Sequence, residues 1–372
     1  VRKPALPALT GLRTILAVNI MLFHFTPAHI SLIAPVVNNA YVFVGFFFLI
    51  SGFVLAYNYA DRPVFDYRNF YIARLSRVYP VYLLVLTISI PFLLQEWHAH
   101  SPADFYLGLL LTPFALQGWS PILATFWNTV GWTLPAELML YCLFPYLLRA
   151  MASQSKRLAT PQRLIVAILA VWLLGMVPHF SYLLFNPDHL TEPATRFTYG
   201  YWLRGIKYTP PMYVCTFTAG LLLARLHTAL ALDTRRRTLL ASVSVLCLAL
   251  FFAFAVDKVP YVLVHGALLL PLFAMLLLAL TGPNPLSTLL SWRPLVLFGE
   301  TTFSLYLLHF NVFQMIHLNG LPQRLHVAQF DPWISFAFIF LLAFAVHRFY
   351  EQPARRLVLA LFGPSRPAAI TS

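Results

Sequence analysis

Apolar runs of about twenty residues recur from one end of this 372-residue chain to the other, near 10–29, 40–59, 76–95, 129–149, 164–185, 212–230, 238–256, 260–281, 294–317 and 333–350. At about 1.5 Å of rise per residue, a helix of that length crosses the roughly 30 Å hydrocarbon core of a bilayer. Lipid offers no water to backbone N–H and C=O groups, so only helices and closed barrels can span it. Runs this long select helices. The expected fold is all-α, a polytopic membrane helix bundle of about ten transmembrane helices. A further apolar piece, 105–118, is only fourteen residues long and reads as a re-entrant or interfacial segment. Charged residues make up 10% of the chain, against about 25% in soluble domains. No linker interrupts the pattern, so residues 1–358 read as one integral membrane domain and 359–372 as a short cytoplasmic tail.

Charge orients the bundle, because cytoplasmic loops collect Lys and Arg. With both termini cytoplasmic and 105–118 not spanning, only Arg196, Arg204, Lys207, Lys258 and Arg324 of the 25 Lys and Arg fall outside. If 105–118 spanned, every later loop would swap sides and the bias would largely collapse. The net charge of +13 is thus spread along one membrane surface and implies no nucleic-acid partner. The first span is not expected to be a cleavable signal peptide, since no small-residue cleavage site follows it. The three cysteines, Cys142, Cys215 and Cys247, lie inside apolar runs without motif spacing. They imply neither a disulfide framework nor a metal site.

Ionisable residues inside the spans are costly and usually face the bundle interior, paired with one another. In GLRTILAVNIMLFHF, Arg13 and His24 are eleven positions apart, which brings them to nearly one helical face, separated by roughly 16 Å. His24 falls roughly 21 Å along its span and Glu137, in WTLPAELMLY, roughly 14 Å into its own from the opposite side. His309, in GETTFSLYLLHF, falls at about the depth of His24. His, Glu and His from three helices suit general acid–base chemistry and equally suit a proton relay in a transporter or flippase. Taken singly, either histidine could also be an ordinary core residue.

Two further groupings lie near the surfaces. In RNFYIARLSRVYPVYLL, Arg74 and Arg77 share a helical face and Arg68 precedes them. Guanidinium forks match phosphate geometry, and positive-inside charge explains the same residues. In the outer connection of about 186–211, Tyr199, Tyr201, Trp202, Arg204 and Lys207 mix aromatic and basic groups that suit a sugar. Interfacial aromatic belts have the same composition.

Six motifs in order give the chain, over roughly residues 8–358, a resemblance to the acyltransferase-3 family of bacterial integral membrane O-acyltransferases. LTGLRTILAVNIMLFHF resembles the opening helix with Arg13 and His24, and GFFFLISGFVL the following helix with Ser51 and Gly52. RNFYIARLSRVYPVYLL is similar to the arginine-rich stretch, with Arg68, Arg74, Arg77 and Pro80. WTLPAELMLY matches through Trp132, Glu137 and Tyr141, GETTFSLYLLHF through Ser304, Tyr306 and His309, and YEQPARR through the closing turn of Glu351 and Pro353.

The resemblance implies an enzyme of the bacterial cytoplasmic (inner) membrane, most simply an O-acetyltransferase. It would move an acyl group from cytoplasmic acetyl-CoA, or another acyl-CoA, to a sugar hydroxyl on the outer side. The acceptor would be an exported or undecaprenyl-linked glycan such as an exopolysaccharide or O-antigen, and acyl-CoA would serve as co-substrate with no permanently bound cofactor. His24 would be the catalytic base, Arg13 its partner in one channel and Glu137 its carboxylate support. Arg68, Arg74 and Arg77 would hold the coenzyme, and Ser51, Trp132, Tyr141, Ser304, Tyr306 and His309 would line the channel. The family often has an acidic residue where this chain has Thr10 and a glycine where it has Thr14, which leaves Glu137 and Glu300 as candidate partners for Arg13. Many members carry an extracytoplasmic SGNH hydrolase-like domain. With about fourteen residues after Val358, none is expected here.

Overall fold

The computed structural model describes residues 3–27, 30–62 and 64–363. Ten helices in it are long and apolar enough to cross a membrane: α1 Pro7–His24, α2 Val42–Tyr59, α3 Tyr67–Ile88, α4 Thr133–Ser153, α5 Pro161–Phe185, α6 Pro210–Leu230, α7 Thr234–Lys258, α8 Tyr261–Leu280, α9 Arg293–Leu318 and α10 Trp333–Phe362. No β-strand occurs among the described residues. The all-α reading and its ten spans hold. Ala28 and His29 at the end of the expected first span, Arg2 and Arg366 from the charge tally, and the tail from 364 onward lie outside the described residues.

Two expected boundaries shift for identifiable reasons. The run at 76–95 marks the apolar part of α3, but the helix begins at Tyr67. There the Asp66 carboxylate accepts from the Asn69 N–H at 3.0 Å, a helix cap that hydropathy does not register. Arg68, Arg74 and Arg77 are therefore all helical. At the other end, α10 continues through a wide turn at His347–Glu351 into Gln352–Phe362. The sequence YEQPARR is thus not a closing turn. Pro353 sits in the first turn of that last helical piece, where its missing N–H costs nothing.

The short apolar piece between α3 and α4 folds back on α3. A helix Pro102–Leu111 ends in a tight turn at Thr112–Phe114. The hydroxyls of Tyr82 and Tyr79 donate to the carbonyls of Thr112 and Pro113 at 2.6 and 2.7 Å. The turn is thereby held beside the interior of α3 rather than crossing.

Two helix pairs run parallel and touch closely. Along α1 and α9, Thr10 meets Gly299 and His24 meets His309. A Cβ at Gly299 would collide with the Thr10 carbonyl, and Thr14 Oγ1 donates to the Leu295 carbonyl at 2.7 Å. Along α2 and α6, a Cβ at Gly52 would strike the Phe217 carbonyl. Small residues permit such backbone approach where lipid supplies no hydrophobic drive for helix association. Gly52 thus serves packing, while its neighbour Ser51 faces the interior.

Candidate active site

The parallel pairing of α1 with α9 sets their functional side chains side by side, and two chambers open along them. The first, about 130 Å³, is lined by Arg13, Ser51, Arg74, Arg77, Glu137 and Tyr141. The second, about 300 Å³, is lined by His24, Tyr41, Trp132, Arg196, Lys207 and His265 among others. Val44 and Tyr306 line both, so the chambers share a wall. Arg13 and His24 both face this interior path, one in each chamber.

In the first chamber the Tyr141 hydroxyl donates to Glu137 Oε1, one helical turn away on α4. Glu137 and Arg77 both lie within charge–charge range of Arg13. Glu300, the other candidate partner for Arg13, is exposed and lines neither chamber. Three guanidinium groups thus face one carboxylate. Arg74 stacks over the rings of Phe70 and Tyr141, at 5.8 and 6.0 Å, and its Nε is buried with no hydrogen-bond partner among the described residues. Arg355, carried back against α3 by the end of α10, adds charge within range of Arg74 and Arg77. Only its helical continuation, hidden behind Pro353, could have signalled this from sequence. Arg68 is exposed and outside the chamber. It shares the helix of Arg74 and Arg77 but not their face.

The second chamber contains His24. Its ring lies 5.3 Å from the His309 ring and 5.1 Å from Phe310, centroid to centroid. His309, 1% exposed, has Nδ1 at 2.7 Å from the Tyr306 carbonyl. A carbonyl only accepts, so Nδ1 carries the proton and Nε2 presents a lone pair. That Nε2 is buried and unpartnered among the described residues. The two histidines expected at one depth do meet. Glu137, expected at their level, lies in the other chamber beyond Tyr306, and His309 supports the wall behind His24 without lining either cavity.

Of the other expected lining residues, Ser51, Tyr141, Tyr306 and Trp132 are in place. Ser304 is not: its hydroxyl donates to Glu351 Oε2 at 2.7 Å, and Glu351 also bonds His347 Nδ1 at 2.9 Å. Ser304 therefore ties α9 to α10.

Sequence reasoning placed Lys207 in a sugar-binding surface and did not single out Arg196. The structure puts both in the second chamber, with Tyr41, Tyr208, Tyr261 and His265. Arg196 lies over Phe23 and Phe197 at 4.8 and 4.5 Å, and its Nη1 is buried without a hydrogen-bond partner among the described residues. Lys207, 5% exposed, makes one hydrogen bond among the described residues, to the Arg196 carbonyl at 3.4 Å. Burial, with Arg204 alongside, lowers its pKa from 10.5 to about 8. Cation–π contacts contribute about 0.5–2 kcal/mol, less than the several kcal/mol that desolvating an ion costs. Lys207 is therefore held at a net cost. Arg204 is spoken for by the carbonyls of Pro121 and Ile122 and by Thr125 Oγ1, at 2.6, 3.1 and 3.1 Å. Tyr199, Tyr201 and Trp202 are exposed and line neither chamber.

The acyltransferase domain that defines the acyltransferase-3 family matches residues 6–347. The chain is similar to acyltransferase MdmB of Streptomyces mycarofaciens, 26% identical over 99% of this chain and 95% of that protein. It is 22% identical to peptidoglycan O-acetyltransferase OatA of Listeria monocytogenes, over 94% of this chain and 56% of the relative. O-acetyltransferase OatA of Staphylococcus aureus is likewise 22% identical, over 94% of this chain and 57% of the relative. The chain thus spans a little over half the length of the two OatA proteins. No solved structure matches it. A domain match over nearly the whole chain, on ten membrane-spanning helices, identifies a multi-pass membrane enzyme that belongs to the acyltransferase-3 family of O-acyltransferases.

Proposed function

We propose that the enzyme transfers an acyl group, most simply acetyl, from cytoplasmic acyl-CoA to a hydroxyl of a sugar-bearing acceptor on the far side of the bacterial inner membrane. The observation that carries this reading is the pair of chambers joined at Val44 and Tyr306. One has the arginines suited to a phosphorylated donor, the other the histidine suited to a base. At about 130 Å³ the first chamber is a slot, smaller than the roughly 300–1,000 Å³ of typical ligand pockets. It suits a slender pantetheine arm, with the nucleotide left at the basic mouth formed by Arg74, Arg77 and Arg355. Guanidinium groups bind phosphates through paired N–H donors and delocalised charge.

The thioester carbon would then reach the shared wall, and the acceptor hydroxyl would approach it from the second chamber. His24 takes the hydroxyl proton as oxygen attacks the thioester carbon. The tetrahedral intermediate collapses, the carbon–sulfur bond breaks, and the proton passes to the departing thiolate. The products are an ester and free CoA. His309 packs beside the His24 ring and helps hold its orientation. Arg13 and the Tyr141–Glu137 pair sit where the donor passes and would position it. No acyl-enzyme is required by this sequence of steps.

The test is acyl transfer from radiolabelled acetyl-CoA by the purified enzyme in proteoliposomes, with and without a crude extract of lipid-linked surface glycans. Label should move to acceptor with the native enzyme and not with His24→Ala. Transfer that persists in a well-folded His24→Ala protein would remove the base from this mechanism. Donor-independent movement of glycan across the vesicle would instead favour a flippase.

A further inference from the structure

Two cations in the second chamber, buried Lys207 and half-buried Arg196 with its Nη1 shut off from solvent, form no ion pair among the described residues. Arg196 comes from the connection after α5, and Lys207 from the helix Tyr201–Tyr208. The 3.4 Å contact between the Lys207 ammonium and the Arg196 carbonyl brings the two segments together. Of the two acids on the same connection, Glu192 is exposed and does not line the chamber, and Asp188 is already engaged. It accepts from the Tyr182 hydroxyl at 2.9 Å and from the backbone N–H groups of Trp202 and Leu203 at 3.0 and 2.8 Å. Asp257 is exposed and Glu96 accepts from the Trp127 N–H, and neither lines the chamber. The remaining walls include His24, His265, Thr129, the apolar side chains of Ile20 and Val44, and aromatic rings such as Tyr41, Tyr208 and Tyr261.

Buried charges are ordinarily paired or held ready for a ligand that pairs them. We infer that the second chamber takes an acidic acceptor, whose carboxylate or phosphate is held by Arg196 and Lys207 while its hydroxyl lies at His24. This rests on the reading of that chamber as the acceptor site. The Arg196 side chain is clamped over Phe23 and Phe197, which leaves the unpartnered Nη1 as a preset donor. Lys207 supplies a second donor in the same chamber. Aromatic ring faces beside them match the C–H faces of a pyranose or a polyprenyl stem. The anion has two chemical sources, a uronic-acid sugar and a phosphate-bearing lipid carrier.

Titration calorimetry on the purified protein in nanodiscs, without acyl donor, tests the inference and separates the sources. One arm compares D-glucuronate with D-glucose, the other undecaprenyl phosphate with undecaprenol. At least one anion should bind tenfold or more tightly than its neutral counterpart, and the responding arm names the source. Arg196→Gln and Lys207→Met should each reduce that preference at least tenfold, while Arg196→Lys retains part of it. Equal binding of charged and neutral probes in both arms overturns the inference. A preference that survives both Arg196→Gln and Lys207→Met, in monodisperse protein, overturns it by locating the anion elsewhere. A role confined to the reaction's oxyanion leaves the donor-free titration flat and has the same consequence. Parallel acetyl transfer keeps the two readings apart. Transfer dependent on His24 without any anion preference sinks only this inference, whereas an anion preference without transfer upholds the site and sinks the proposed function.

Discussion

Replacing Lys207 with methionine should make the acceptor-free enzyme more stable. Lys207 is 5% exposed, and burial, with the Arg204 charge alongside, lowers its pKa from 10.5 to about 8. At 1.36 kcal/mol per pH unit, that lowering corresponds to a cost of about 3 kcal/mol. Two cation–π contacts, with Tyr208 and Tyr261 at 5.1 and 5.3 Å, offset part of it; at about 0.5–1 kcal/mol each, they leave a net penalty of about 1–2 kcal/mol. Methionine keeps a flexible apolar stem in the same space. The sign with pH follows from linkage. The folded pKa lies below the unfolded one, so between about 8 and 10.5 the unfolded chain binds the proton and the folded one does not. The penalty is complete below about pH 8 and fades as pH rises towards 10.5. The groups facing Lys207 are Arg204 on its own helix, Arg196, His24, Tyr41, and Tyr261 and His265 of α8, with no carboxylate to reverse the sign. Thermal unfolding of both proteins in micelles from pH 6 to 10.5 is the assay. The variant should melt higher at pH 7, and its advantage should shrink above pH 8. A variant that melts lower at pH 7, or an advantage independent of pH, would show that the burial cost is compensated within the protein itself.

Two other changes probe the first chamber and the α9–α10 junction. Tyr141→Phe removes the hydroxyl that donates to Glu137. Hydrogen bonds to charged groups are worth about 1.5–3 kcal/mol, so acyl transfer should fall roughly 10- to 100-fold; steady-state kinetics with acetyl-CoA would expose the error if kcat/KM stayed within twofold. Ser304→Ala removes the donor to buried Glu351 and should cost about 1.5–3 kcal/mol of stability. Because Ser304 lines neither chamber, the KM for acyl-CoA should remain unchanged in the same assay, and a large rise would return Ser304 to the channel.

Hydrocarbon thickness makes the span count legible, because nothing else in a chain demands ten apolar runs of one length. Helix starts are less legible when arginines lie in the first turns. The apolar run beginning at 76 left Arg68 and Arg74 outside it, although the Asp66 cap stands three residues before Asn69. Depth along a span predicted that His24 and His309 would meet, since both rise from the same end on parallel helices. It did not separate Glu137 from them, because depth is silent about which side of Tyr306 a carboxylate occupies. Arg196 carried no signal at all. An arginine in a connection between helices looks the same in sequence whether it bathes in solvent or folds inward over Phe23.

The wall formed by Val44 and Tyr306 has a consequence for the membrane as well as for the substrates. A water-filled path with basic groups along its length would conduct anions and dissipate the gradients on which a cell runs. Here the two chambers share a wall made by a tyrosine and a valine. The apolar side of that wall lies where such a path would have to run. On the proposed function, an acyl group changing hands at this wall would cross the membrane without either whole reactant passing through.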